Sequence, residues 1–578
     1  MDPGLDRDSI TLKDPFPHCL GAGLRRVFPW LAPALFLGLF FFYPLARILR
    51  MGIDPSLLLD LATLRLVLRV SCFTLYQAVL STLFTLLIGL PAAYLFAHYE
   101  FPGKSLLRVL TAIPFMLPTV VVAAGFNALL GPRGWINLAL MNVFGLALPP
   151  VKFLHTLWAI LLAHVFYNTT IVIRIVGHAL AHLDPRMAQA ARALGADSPR
   201  TFRFITLPLL RPSLLAATLL VFLFDFTSFG VILLLGGVRY ATLEVEIYIQ
   251  ALHMLNLPVA ALLSLIQLVC TLIFSILYSR MVMRVVAPVA PRSAVTNLRR
   301  ARSLSERFFV IGMVVSLFAL FVMPMLALPF RSISRLEAGR GERAEVQYGL
   351  TTNYYRELFV NRRGSLFYVP PIRAAYNSLG YACITMLLSL LIGLPAASAL
   401  ARPTRLERWL DPLLMLPLGA SAVTLGLGYV ITFSRPPFNL LASPWLVPLA
   451  HTLIALPFVI RSLQPALASI PARLQQAASV LGASPVRTWL WVDWPIISRA
   501  AVAAAVFAFA VSLGEFGATS MVVRPEYPTL PIAIARYLSR PGGLNYGQAM
   551  AMATILMTVC GVGIILIERL RLPGTDAF

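Results

Sequence analysis

Gln189-Ala190-Ala191-Arg192-Ala193-Leu194-Gly195-Ala196 and Gln476-Ala477-Ala478-Ser479-Val480-Leu481-Gly482-Ala483 stand 287 residues apart, each in a polar stretch between two strongly apolar runs. The same offset carries Ala163-His164 onto Ala450-His451, Ile173-Arg174 onto Ile460-Arg461, and Arg200-Thr201 onto Arg487-Thr488. It also carries Pro208 onto Pro495, Phe229-Gly230 onto Phe516-Gly517, and Thr242-Leu243 onto Thr529-Leu530. Upstream, Ile88–Ala93 recurs as Ile392–Ala397 at a larger offset, so the first half holds extra residues, expected within 131–154. Apolar helices share Leu and Ala freely, so isolated matches mean little. A register held through a polar loop and both flanking helices points to an internal duplication.

Composition says what is duplicated. Of 578 residues, 59% are hydrophobic and only 12% charged, with mean hydropathy +0.81, whereas a soluble domain carries about a quarter charged residues. A water-soluble enzyme is excluded. A membrane helix needs about 20 apolar residues. Runs of that kind lie near 27–48, 70–97, 109–130, 155–177, 212–236 and 258–280, then 308–330, 375–400, 411–433, 447–463, 499–522 and 546–568. The expected fold is an all-α polytopic membrane protein of about twelve transmembrane helices in two homologous six-helix halves. Six spans per half is an even number, so both repeats insert the same way round, a parallel pseudo-two-fold pair.

Charge sets the expected orientation. The net charge of +23 would point to nucleic acid on a soluble domain, but here it is what cytoplasmic loops carry, and no nucleic-acid partner is expected. Residues 280–307 hold seven arginines against the single acid Glu306, and Arg402, Arg405, Arg408, Arg569 and Arg571 fall on the same side. The 331–374 loop objects, with eight arginines and four acids on the side that must lie outside. The reading that follows is a cytoplasmic leader at 1–26, a first half at 27–284 and a basic cytoplasmic linker at 285–307. A second half at 308–568 and a cytoplasmic tail at 569–578 complete it. The first run is too long for a signal-peptide core and is read as a retained helix. The five cysteines are scattered, which suits buried apolar side chains better than a zinc site or disulfides.

The loop between the fourth and fifth spans of each half, 180–208 and 464–495, holds the sharpest local signal. Asp184 can cap a helix opened by Pro185. Met187, Ala190, Ala191 and Leu194 then share one face, and Gly195 suits the left-handed position that ends it. The second copy runs Pro471 to Gly482, with Leu474, Ala477, Ala478 and Leu481 on the matching face. Helices this short are not stable alone, so each needs a partner surface: its own bundle, the lipid interface, or another chain.

These loops resemble the EAA loop of ATP-binding-cassette importer permeases: Glu-Ala-Ala, three residues, Gly, nine residues, Ile-x-Leu-Pro. Gln189-Ala190-Ala191, Gly195 and Ile205-Thr206-Leu207-Pro208 fit every spacing, as do Gln476-Ala477-Ala478, Gly482 and Val492-Asp493-Trp494-Pro495. Both copies have Gln for Glu, and the second has Trp494 for Leu, so any ion pair made by the family's glutamate is in doubt. A fused double permease resembles the thiamine and ferric-iron group. So do Ala163–Asn168, Leu234–Gly237, Thr242–Tyr248 and Ser512–Gly517. The resemblance implies a type I importer permease fold in a bacterial plasma membrane. Two cytoplasmic ATPase subunits would dock on the loops, and an extracytoplasmic solute-binding protein would deliver the cargo. It assigns ATPase coupling to Gln189, Ala190, Ala191, Gly195, Pro208, Gln476, Ala477, Ala478, Gly482 and Pro495.

Charged groups at membrane depth are costly and tend to face a cavity or a partner. Asp225 lies in the fifth span, and Glu515 in the eleventh, where its repeat mate is Ser228. Ser228, Phe229, Glu515 and Phe516, with Asp225, are the expected lining of a translocation path, suited to a cationic solute through charge and cation–π contact. The competing reading has each acid protonated, or paired with an arginine, inside the bundle. His164 and His451 match across the repeat and read as interhelical hydrogen-bonding groups, as does Asn168. Arg174 and Arg461 read as snorkelling side chains. No catalytic residue, metal site or cofactor is expected, ATP being used by the partner subunits. Gly103-Lys104-Ser105 lacks the phosphate-loop glycine five residues earlier, where His98 stands. The rival is an ion-coupled twelve-span carrier, which would need no duplicated loop helix.

Overall fold

The computed structural model describes residues 22–285, 298–335, 349–360, 369–401, 403–436 and 439–570. Most of the leader and tail, the middle of the linker with Arg292, parts of the 331–374 loop, and Arg402 lie outside the described residues. Among the described residues ten helices are long and apolar enough to cross a membrane. In the first half they are Pro29–Gly52, Leu61–His98, Leu157–His182, Pro199–Phe226 and Leu257–Met281. In the second they are Leu304–Ser332, Pro371–Leu400, Leu446–Ala468, Val486–Gly514 and Gly543–Gly563.

The runs expected at 109–130 and 411–433 are broken. Lys104–Met116 and Thr119–Phe144 meet at 115°, and Arg405–Gly419 and Ala422–Phe433 at 93°. The breaks have local causes. Leu117 is extended, as a residue before proline prefers, and Pro118 offers no N–H to continue the helix. In the second pair the chain turns extended at Ala420, behind Pro417 and Gly419. Counted as single crossings the bent pairs complete six spans per half, and spans are numbered below in that order. The helix Trp135–Phe144 falls where the extra residues of the first half were expected.

Prolines shape the remaining helices. Five-residue π turns at Gly38–Phe42, Phe202–Thr206, Phe318–Val322 and Trp489–Asp493 each precede a proline by two residues, namely Pro44, Pro208, Pro324 and Pro495. A proline ring clashes with the carbonyl four residues back and cannot bond it. Widening the preceding turn to the i→i+5 pattern makes room without ending the helix. The two loop-motif prolines are therefore bulge residues at the root of the fifth and eleventh spans.

The halves clasp each other through their first spans. Phe40 of the first span meets Tyr429 and Phe433 of the ninth, with ring centroids 6.5 and 5.7 Å apart. A Cβ on Gly428 would lie 2.9 Å from Pro44 Cβ. In the mirror contact Phe321 of the seventh span meets Phe166 at 5.7 Å, and a Cβ on Gly125 would lie 2.9 Å from the Pro324 carbonyl oxygen. Each first span thus leans on the opposite half. The end of the linker is pinned to the first half. Arg299 donates its N–H to the His98 carbonyl and accepts from Glu100 N–H, both at 2.9 Å, and its guanidinium lies 3.1 Å from Glu306. Among the described residues the one sheet is a two-residue antiparallel pair, Ser334–Arg335 with Gly349–Leu350.

Candidate functional site

Two places draw the sequence candidates together: the loop helices and the middle of the bundle. The first loop helix spans Pro185–Ala193, with Asp184 accepting from the Arg186 N–H at 3.0 Å. The second spans Ala472–Val480, with Pro471 at its start. Both stop the same way. Gly195 and Gly482 hold φ of +88° and +80°, and Ala196 and Ala483 return N–H bonds of 3.0 Å to the Ala191 and Ala478 carbonyls. This is the glycine-closed C-terminus that satisfies otherwise orphaned carbonyls. Neither helix buries a residue. Leu194 is 89% exposed and Leu481 86%, and both glutamines are exposed. The helices do not lie on their own bundle. They stand off it with their apolar faces open. The second has an extra tie, Gln475 donating to Asp493 of the adjoining π turn at 2.9 Å.

In the middle of the bundle the fourth and tenth spans each present a buried histidine to the end of the next span. His164 Nδ1 lies 2.8 Å from Ser81 Oγ and 3.3 Å from Asp225, and its Nε2 lies 2.9 Å from Ser228 Oγ. His451 Nδ1 lies 2.7 Å from Ser512 Oγ, and its Nε2 lies 2.7 Å from Thr519 Oγ1 and 3.3 Å from Glu515. Ser512 is the repeat mate of Asp225, and Glu515 that of Ser228. At these two matched positions each half therefore sets one hydroxyl and one carboxylate against its histidine. The carboxylate moves by one helical turn, to the other ring nitrogen. Ser81 and Thr385 are a further matched pair, Thr385 receiving a 3.3 Å bond from Ser512.

The structure gives each residue of the expected path a definite set of partners. Asp225 has no exposed surface, accepts from Asn168 at 2.7 Å and faces His164. Glu515 accepts from Ala518 N–H at 2.7 Å, from Thr519 N–H at 2.9 Å and from the Thr519 hydroxyl. It caps the helix Gly517–Val522. Both acids turn toward a histidine of their own half; both oxygens of Glu515 are bonded there, whereas Asp225 Oδ2 is buried without a hydrogen-bond partner. Phe229 and Phe516 do come together from the two halves, stacked at 5.6 Å and 26° and nearly fully buried. Ser228 sits beside Phe229, hydrogen-bonded to His164. Arg461 does not simply snorkel: it bonds Asp411 and Gln464, each at 3.0 Å.

The breaks in the bent spans are held across the interface. Glu244, 1% exposed, accepts from Ser421 of the ninth span at 2.7 Å and from Gln267 at 3.0 Å, while Thr271 donates to Gly419 at 2.8 Å. In the other half Pro118 packs 3.2 Å from where a Cβ on Gly514 would stand. Sequence reading missed Ser81, Thr385, Ser512, Thr519 and this cross-half tie. The repeat register could have found the first three, since they fall on matched positions; the tie joins positions that are not repeat mates, and no sequence signal marks it.

A protein of twelve apolar crossings in two clasped halves, with paired polar clusters at mid-depth and a short exposed helix jutting from each half, is a membrane permease. Residues 85–287 match the family described as the binding-protein-dependent transport system inner membrane component, and the chain belongs to that family as a fused double permease. It is 30% identical over 513 residues to the thiamine transport system permease protein ThiP of Brucella abortus, covering 88% of this chain and 89% of that one. The protein of the same name in Escherichia coli K12 is 27% identical over 87% of this chain and 89% of its own. A probable ABC transporter permease protein of Sinorhizobium fredii, y4fN, is 27% identical over 87% of both chains. The chain is accordingly a multi-pass inner-membrane importer permease.

Proposed function

We propose that the chain is the membrane subunit of a thiamine importer whose ATP is hydrolysed by two separate cytoplasmic subunits, one docked on each loop helix. A binding protein delivers cargo at the opposite face, and both termini lie in the cytoplasm. The observation that carries this reading is the pair of loop helices with matching glycine closures and uncovered apolar faces. An ion-coupled carrier has no use for two such levers. The substrate rests on the relatives' names, joined by the stacked aromatic pair at the half–half boundary, which suits a flat cationic heteroaromatic better than a metal ion.

The geometry gives a route for the push. Each loop helix is joined to the end of the fourth or tenth span, and that span carries His164 or His451 roughly 27 Å along its axis at 1.5 Å per residue. The histidines grip Ser228 and Glu515, the residues immediately before Phe229 and Phe516. Tilting a loop helix therefore moves the ring that meets its mate from the other half, and the halves rock to expose the path alternately.

Gly195→Val and Gly482→Val test the docking. A Cβ at either position meets nothing within 4 Å, so the cost is backbone strain alone, about 1–2 kcal/mol per left-handed residue, confined to the loop. The expected outcome is that each single variant weakens co-purification of the cognate ATPase, the double variant abolishes it, and thiamine uptake falls in step. Undiminished ATPase retention by a folded double variant, or thiamine flux through the permease without an ATPase, overturns the reading.

A further inference from the structure

The stacked pair between the halves is one end of a longer series of rings. Phe229 is 5.6 Å from Phe516 on one side and 5.5 Å from Tyr248 on the other, and Tyr248 is 5.3 Å from His253. Burial falls steadily along it. Phe516 and Phe229 are 5% and 7% exposed, Tyr248 is half-buried, and His253 is exposed. The helix Leu243–Tyr248 and the π turn Ile249–His253 carry the outer two rings. This segment is anchored at its deep end, where Leu243 N–H donates to Thr74 at 2.9 Å and Glu244 is bonded to Gln267 and Ser421. It rises to the start of the sixth span at Leu257, the end of the bundle opposite the loop helices.

The series is one-sided. The repeat mates of Tyr248 and His253 are Ala535 and Arg540; the matching helix carries its ring two residues on, at Tyr537, buried beneath the Arg540 guanidinium at 5.5 Å, so no series of rings runs outward there to an exposed imidazole. Core packing alone gives no reason to carry aromatic rings outward to an exposed position on one half only.

We infer that Phe516, Phe229, Tyr248 and His253 form a stacking track that receives a flat, cationic heteroaromatic solute at the outer mouth and passes it to the closed ring pair. The faces of the rings offer stacking area and negative quadrupole to such a solute. The carboxylates on the same segment are engaged elsewhere, Glu244 by Gln267 and Ser421 and Glu246 by Gln250, so the rings supply the attraction along the track. The inference rests on the proposed function and adds to it the place and chemistry of the permease's own solute contact.

The test uses the complete transporter in proteoliposomes, with labelled thiamine delivered by the binding protein and phosphate release recorded in parallel. The readout is thiamine moved per ATP hydrolysed, which a merely structural defect, lowering both together, leaves unmoved. Tyr248→Phe keeps the ring and should stay within about twofold of wild type. Tyr248→Leu should lower the ratio roughly fivefold to tenfold, the scale of a lost aromatic and cation–π contact. His253→Ala, at an exposed position where folding is not at stake, should lower it about twofold to threefold and decides the matter if Tyr248→Leu fails to assemble. A wild-type ratio in both His253→Ala and any assembled Tyr248→Leu protein overturns the track while leaving the importer reading intact. A wild-type transporter that moves no thiamine at all overturns both.

Discussion

Glu515→Gln should harm the permease more than Asp225→Asn, although both turn a buried carboxyl facing a matched histidine into an amide. The Glu515 carboxylate accepts two backbone N–H bonds, from Ala518 at 2.7 Å and Thr519 at 2.9 Å, one on each oxygen, besides the Thr519 hydroxyl. A glutamine has one acceptor oxygen, so its NH2 must face one of those fixed donors. A buried donor left unmade costs about 1–3 kcal/mol, and loss of the charge-assisted bonds adds about 1 kcal/mol, giving about 2–4 kcal/mol. At roughly 2 °C per kcal/mol for a cooperative unit the size of one half, the purified protein should melt about 4–8 °C lower. Asp225 accepts instead from the Asn168 side chain at 2.7 Å, which can turn its own carbonyl toward the new amide, so Asp225→Asn should cost about 1 kcal/mol. Transplanting the first half's arrangement into the second makes the comparison stricter. Ser512→Asp combined with Glu515→Ser places the acid at the other ring nitrogen, and a serine can still accept at a helix start. The pair should recover more than half of what Glu515→Ser loses alone. Equal melting shifts for the two amide variants, or a transplant that deepens the loss, would refute this account of the clusters.

Two further outcomes follow from local geometry. Asp60 caps the second span, its carboxyl held below the usual carboxylate range first by the Thr63 hydroxyl and then by the Ala62 and Thr63 amides. A depressed folded value means the cap is fully present above the ordinary carboxylate pKa near 4 and is lost as pH falls through the lower folded value. Hydrogen exchange at Ala62–Leu64, corrected for intrinsic rates, should stay flat from neutral pH to about 5 and rise below about 4. Gly125→Val drives a Cβ against the Pro324 carbonyl at 2.9 Å. It should destabilise the clasp by about 1–3 kcal/mol, read as a lower melting temperature, whereas Gly312→Val, where a Cβ meets nothing within 4 Å, should leave it in place.

The legible parts of this molecule were those that repeat or run long. Apolar length marked the helices, and the shared register of Gly195 and Gly482 marked both loop closures. Periodicity could not show that Pro118 and the Pro417–Gly419 stretch break their spans, because a proline inside an apolar run reads equally as a kink or a stop. Nor could it show which way an intramembrane acid points. Asp225 and Glu515 looked like path residues because isolated acids at that depth need a partner. That partner, a histidine on the preceding span, was already visible as a matched pair. What joined them was the fold, which sets the mid-depth of the fourth and tenth spans against the ends of the fifth and eleventh.

The duplication is strict at one end of the molecule and relaxed at the other, and the division has a physical sense on the proposed reading. Two copies of one ATPase present the same groove twice, so the loop helices must keep one shape, and they do: equal lengths, equal glycine closures, equal exposure. A single solute has no two-fold axis. A path that grips it gains nothing from matched walls, and identical carboxylates on both sides would bring like charges together at mid-depth. The duplicated chain has moved one acid by a helical turn, turned both toward a histidine, and kept the Tyr248–His253 ring pair on the first half alone. Phe229 and Phe516 are retained as a matched pair that stacks ring on ring across the halves, a place where symmetry costs nothing, since two equal faces can close on each other.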